Sequence, residues 1–348
     1  MKIKLLVITW LVPFSFLFSQ NYNMNKPEGF GAAATGGGDT PSVTVSSWGE
    51  LTAQLKSASP KVIVVSGIIQ CSYTSVLVKN KTLIGLSGAR LVNIDQTAAG
   101  SGILNLKAGS DNIIIRNLVF EGPGAFDVDG HDNLTSEATN LWVDHCEFQD
   151  GMDGNFDNKG AADNVTVSWT KFTYLKTPKA NGTGGADDHR FSNLIGSGKN
   201  DFPADGHYSI TFKNCYWAHG CKQRMPRARN AEIHVLNCLY KTSESGSVAI
   251  GLGGGQKNAT CYVEATDFEE VEKVFKEYIS TDGGKVGIAF DNCHNGASNF
   301  GEEVIKPNYN YSKISLDKVR NSVSNKTSGA GATLQVSSTG EISSVHKS

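Results

Sequence analysis

Two clusters of charged side chains concentrate the chemistry available to this chain. The first is acidic: Asp127, Asp129 and Asp132, followed by Asp153 and Asp157. Carboxylates at this density repel one another unless a positive charge sits among them. Short Asp side chains supply hard oxygen ligands of the kind that suit Ca2+, although no EF-hand pattern is present. Asp153 and Asp157 are four residues apart, an even interval that on a β-strand sends both side chains out by one face. The second cluster is basic and runs from Lys222 through Arg224 and Arg227 to Arg229 around Pro226. Guanidinium forks at this spacing suit the recognition of repeated carboxylates. Each cluster alone also reads as a solvated surface. Together on neighbouring elements they suit a polyanionic chain bridged through cations.

The elements that must position these clusters show themselves as a repeat. Short β-branched runs end in a polar or small residue, add two more residues, then reach an aromatic: Phe120, Phe148, Phe172, Trp217, Tyr240 and Phe268. The aromatic spacings are 28, 24, 45, 23 and 28 residues. The 45 is two repeats, or one repeat with a long insertion. Most intervals hold no helical run, which excludes a βαβ sheet. The expected fold is therefore all-β, a right-handed single-stranded parallel β-helix in which each coil adds one rung. Cys146, Cys215 and Cys238 occupy the same phase of the repeat and are expected to stack inside it rather than form disulfides. PKVIVVSGII and NKTLIGLSGARL read as early rungs. Ser47 and Glu50 have capping-box spacing, so a short helix carrying Leu51 and Leu55 should cover the N-terminal end. The segment after Phe300 lacks the rung pattern and should lie along the outside as loop and short helix. FEEVEKVFKEY fits either strand and loop or helix.

Lys2 and Lys4, an apolar run from Leu5 to Phe18 and Ser19 have the form of a secretory signal over residues 1–20. Residues 21–348 are then expected to form one exported, soluble, monomeric domain. With 32 Lys and Arg against 34 Asp and Glu, the chain is slightly acidic, which argues against nucleic acid as a partner. The seven cysteines are an odd number and contain no CxxC pair, so a zinc or dithiol site is disfavoured. The longest insertion, between Phe172 and Tyr208, holds Lys176, Lys179, Asp187, Asp188, His189 and Arg190 with a Gly-rich turn. The histidines are scattered, and none is assigned to catalysis.

LWVDHCEF (Leu141 to Phe148) resembles the vWiDH motif of the pectate lyase superfamily, polysaccharide lyase family 1, and Arg224 to Arg229 matches its RxPxxR motif. EGFGAAATGG, DGNFDNKGAADNVTVSW and LIGS are further landmarks in the same order, and the resemblance runs from about residue 28 to 270. It implies a Ca2+-dependent lyase that cuts α-1,4-linked polygalacturonate by β-elimination. On that footing Arg224 is the general base and Arg229 binds a substrate carboxylate. Asp153 and Asp157 fall on two acidic Ca2+ ligands, with Asp132 as a third and Asp129 or Asp127 as an outer partner. Asp144 and His145 fall on a motif taken as structural. The family's substrate-binding lysine is replaced by Phe191; Arg190 beside it and Lys159 are the candidates to reach substrate instead. A guanidine base, with cations nearby, implies an alkaline optimum. Three rivals are a metal-independent pectin lyase, a hydrolase using Asp187 and Asp188, and a non-catalytic glycan-binding β-helix.

Overall fold

The coils share a left-handed residue at one recurring turn. A run such as Asp111–Arg116 or Tyr208–Lys213 ends at Asn117 (φ 53°) or Asn214 (φ 55°), and the chain turns sharply into a second strand. His145, Trp169, Asn237 and Ala265 occupy the same turn position, with φ between 45° and 52°. Asn tolerates this conformation through its short polar side chain; His, Trp and Ala must be held there by packing. The His145 and Trp169 rings stack with centroids 5.7 Å apart. The computed structural model describes residues 26–343, and the expected signal segment lies outside the described residues.

These coils stack as a right-handed parallel β-helix with three long sheets of eleven, eight and eight strands. The first runs from Ser42–Val45 to Val286–Asp291 and ends in the antiparallel strand Phe300–Gly301. The second holds the aromatic of each repeat, and its register places Phe120 on Phe148, Phe148 on Phe172, Phe172 on Trp217 and Trp217 on Tyr240. Consecutive rings stack at 4.5–5.6 Å through to Tyr240, and Tyr240 stacks on Phe268 at 4.6 Å. The direct pairing of Phe172 with Trp217 shows that the long interval is one repeat plus an insertion. The third sheet runs from Thr74–Val76 to Lys273–Glu277. FEEVEKVFKEY is strand in two pieces, Asp267–Glu270 and Lys273–Glu277.

One interior column sits directly after the left-handed turn. It contains Cys146, Thr170, Cys215, Cys238 and Thr266, and each thiol or hydroxyl donates to the carbonyl two residues before it. All seven cysteines are free thiols. Burial raises the Cys146 thiol to about 12 and pushes Cys215 well above its ordinary value, so these two thiols have no reactive thiolate character. Asp144 is also buried, on the outer face of the first sheet opposite the core-facing Val143: it accepts from Ser168 Oγ at 2.6 Å and pairs with Arg116 at 2.7 Å and His145 at 2.9 Å. Those bonds satisfy a buried charge and order the strand, as expected of a structural motif.

A helix covers the N-terminal end. Ser47 and Glu50 form a capping box on the helix Trp48–Lys56, whose Leu51 and Leu55 are buried on the first rungs. The C-terminal segment returns along the outside. Lys306, Tyr311 and Lys313 reach the buried Glu264 at 2.6–3.0 Å, and the Asn237 amide exchanges two hydrogen bonds with Ile314. Glu28 joins Lys213 to Ser312, so residues from both ends of the chain meet at mid-coil. The helix Leu316–Val323 then buries Val319 and Val323 against Trp169 and Leu239.

A thiol reagent added to the native protein without reductant should label the half-buried Cys71 and Cys293 first, and all seven cysteines after denaturation. Fewer than seven thiols after denaturation would reveal a disulfide and overturn the stacked column.

Candidate active site

The third sheet brings the acidic and basic clusters together on its outer face. Thr135 pairs with Asp157, Asn158 with Ile195, and Leu194 with Arg227, so the two clusters lie within a few rungs of about 4.8 Å each. Asp132 is buried in the turn before Leu134–Ser136; its Oδ2 accepts from Thr135 Oγ1 at 2.7 Å, and its Oδ1 is buried without a hydrogen-bond partner. Asp157, in the strand Phe156–Asn158, accepts the Leu194 N–H at 2.8 Å. Asp153 is more open and lies in a bend outside that strand. The even-interval argument for Asp153 and Asp157 therefore fails. The two act on each other because the bend folds Asp153 back toward the strand.

The electrostatics of this group are unfavourable as it stands. Burial first, then the charges of Asp157 and Asp153, push Asp132 well above the usual carboxylate range. Burial raises Asp157 to about 7 despite the opposing effect of Arg224. Gly154 lies between them: a Cβ there would sit 2.6 Å from Asp132 Oδ1 and 3.2 Å from Asp157 Oδ1. A glycine thus preserves a gap lined by carboxylate oxygens, one of them unsatisfied. An all-oxygen, like-charged donor set around such a gap fits a hard divalent cation.

Arg224 stands on the basic side of the gap. Its backbone is left-handed (φ 58°), a conformation a non-glycine residue adopts at some cost. Its guanidinium lies 4.6 Å over the Phe191 ring and makes no ion pair among the described residues. Arg229 is buried, pairs with Asp282 at 3.0 Å and donates to the Gly196 carbonyl at 2.8 Å. Burial and the neighbouring Arg227, which shares Asp282, hold Arg229 below its ordinary value. Lys159, half-buried just past Asp157, acts electrostatically on it.

Two expected site residues sit elsewhere. Arg190 is not a free substrate contact: it donates twice to Asp188 at 2.7 Å and once to Glu244 at 2.8 Å, and these carboxylates, Asp188 first, hold it firmly charged. Phe191, one residue on, is the side chain that faces Arg224. Asp129 is exposed and outside the cluster of Asp127, Asp153 and His189, in which Asp127 is buried. Asp127, Asp153 and His189 bring their ligand atoms within 4.8 Å of one another. His189 was missed by sequence reasoning. Its only signal was a position beside two aspartates in the Gly-rich insertion, which did not separate it from the other histidines.

Comparison with known proteins agrees with this architecture. A family profile described as pectate lyase matches residues 9–333. A pectate trisaccharide-lyase of Thermotoga maritima is 31% identical over 71% of this chain, which spans 66% of that relative's length. Pectate lyase A of Emericella nidulans is 29% identical, covering 89% of this chain and 90% of its own. Among solved structures, a Bacillus subtilis pectate lyase mutant superimposes with a TM-score of 0.67 at 20% identity, over 90% of this chain and 98% of its own. A pectate lyase bound to a hexasaccharide gives 0.66 at 20% identity, over 89% and 100%. At that identity the structures establish the fold alone.

The raised Asp157 has a testable sign. A carboxyl whose pKa rises on folding stabilises the native state at low pH, and this contribution is lost as pH climbs through about 7. In chelator at about pH 8, Asp157→Asn should therefore be more stable than wild type by about 1–3 kcal/mol, and the two should converge only below about pH 4, where the carboxyl is protonated in folded and unfolded chains alike. Thermal melts at both pH values decide it; a destabilised variant at the higher pH would contradict the burial argument.

Proposed function

The chain belongs to the pectate lyase family, and on that premise we propose that it is a secreted, Ca2+-dependent pectate lyase. Its substrate is α-1,4-linked polygalacturonate, and its products are 4,5-unsaturated oligogalacturonates. The observation that carries this reading is the unpaired Arg224 guanidinium beside a buried gap lined by Asp132 and Asp157. A hydrolase would need two acids placed to protonate a leaving group and activate water. Asp188 is instead bound by Arg190 and Lys222 and held at about 2, which removes it as a proton donor.

Asp132, Asp153 and Asp157 would hold the ion. When bound, Ca2+ would neutralise the uronate carboxylate and make the adjacent C5–H more acidic. Arg224 in its neutral form takes the C5 proton and becomes guanidinium, the C5–H electron pair becomes the C4–C5 double bond, and the C4–O bond to the next sugar breaks with its pair going to the leaving oxygen, which water then protonates. Arg229 and Lys159 supply positive charge for neighbouring carboxylates and for the negative charge that develops on the reacting sugar. A guanidinium ordinarily keeps its proton past about pH 12, so a base of this kind works better as pH rises. Preorganised hydrogen-bond donors matter most where water is excluded, and the burial of Arg229 meets that condition.

The decisive assay follows ultraviolet absorbance of polygalacturonate incubated with the protein, with and without chelator. Absorbance should rise, chelator should abolish it, and added Ca2+ should restore it. Reducing ends without absorbance would mean hydrolysis, and neither signal would refute an enzyme of this class. Arg224→Lys should lower kcat by about 10²–10⁴-fold while the protein stays folded, and the wild-type rate should climb on the alkaline side. A maximum near about pH 5 would instead point to a carboxylate or His base.

A further inference from the structure

We propose that His189 and Phe191 form a two-ring clamp that positions both halves of the site, the imidazole setting Asp153 and the phenyl ring seating the Arg224 guanidinium. This rests on the functional reading above and adds two positioning residues to it. The clamp is anchored in the insertion. Asp127 Oδ2 accepts the Ala186 N–H at 2.7 Å, and its carbonyl accepts the Gly184 N–H at 2.9 Å. A Cβ on Gly182 or Gly184 would fall 2.0 Å from Asp127 oxygens, so only glycine lets the loop wrap so closely. Asp127 thereby becomes a fixed post for the imidazole.

The His189 ring, only 6% exposed, spans from that post to Asp153. Its Nδ1 lies 3.3 Å from Asp127 and its Nε2 3.3 Å from Asp153. The two nitrogens face different carboxylates at ion-pair range and neither makes a hydrogen bond, so the ring stands between the carboxylates as a spacer. Among the described residues, Asp153, in a bend and partly open, has no other ion-pair contact to orient it.

The second ring continues the contact. His189 and Phe191 have centroids 4.2 Å apart, and the far neighbour of Phe191 is the Arg224 guanidinium at 4.6 Å. Phe191 is itself fixed: its carbonyl accepts the Tyr174 hydroxyl at 2.5 Å, and its backbone bridges to Gln223, the residue before Arg224. A flexible side chain with no ion pair is thus held by the face of an aromatic ring, which attracts a cation without sharing its proton. Carboxylate and guanidinium are tied to one short stretch of chain, so their separation is set by the insertion.

The test combines calorimetric titration with Ca2+, steady-state kinetics on polygalacturonate and the NMR shift of the Arg224 side-chain N–H. His189→Ala should raise the Ca2+ Kd about tenfold or more, with part of the affinity recovered in His189→Gln, which keeps an N–H donor. Phe191→Leu, similar in bulk without a π face, should lower kcat about 3- to 30-fold, leave the Ca2+ Kd within about twofold and remove the ring-current shift of Arg224. Phe191→Tyr should keep both kcat and the shift. Unchanged Ca2+ affinity in His189→Ala overturns the first half, and equal losses in the Leu and Tyr variants overturn the second. A wild type without lyase activity would refute the functional reading, while the Ca2+ and NMR measurements would still decide the clamp.

Discussion

In-register parallel stacking is the constraint on which everything else in this molecule depends. Once one coil lies on another with each residue over its counterpart, every inward position becomes a column and every outward position a row. The columns must tile: rings on rings in the second sheet, thiols and hydroxyls beneath the left-handed turns. Stacked aromatics add attraction beyond the area they bury, and thiols that donate to local carbonyls need no partner across the core. The interior is thereby stable without a cross-link.

The same rule makes the outer face hazardous and useful. A row that accumulates carboxylates cannot disperse them, because the rung spacing is set by backbone hydrogen bonds and not by side-chain preference. Asp132 and Asp157 are trapped in a buried, like-charged arrangement that the fold alone leaves unresolved. Such tension is expected where binding of a cation supplies the missing charge, since the scaffold then holds a site ready at the expense of its own stability. The basic row faces the opposite problem and solves part of it internally, with Asp282 shared by Arg227 and Arg229. Arg224, with no carboxylate partner among the described residues, rests on the face of Phe191.

What could be read from residue order was whatever obeys the period. The aromatic column and the interior thiols recur at fixed phase, so pattern and rung follow directly. The insertion does not recur, and there the reading broke down. Arg190 and Phe191 differ by one residue, which in extended chain reverses the face presented; only the folded loop decides that Phe191 meets Arg224 while Arg190 turns to Asp188 and Glu244. His189 reaches Asp127 because Gly182 and Gly184 permit a tight wrap, a three-dimensional condition with no periodic signature. Asp153 illustrates the converse, since it joins the site through a bend although the strand argument that selected it does not hold.

Solenoids are ordinarily quasi-one-dimensional, each repeat answering only to its neighbours. The Glu28 carboxylate departs from that pattern by joining Lys213, in the middle of the first sheet, to Ser312 on the returning C-terminal segment. Together with the Glu264 and Asn237 contacts, it ties sequence-distant ends across several rungs. In polymer terms the coil is a laced column and not an open stack. Fraying at one end must strain the lacing at the centre, so the coupling length of the fold approaches the length of the chain.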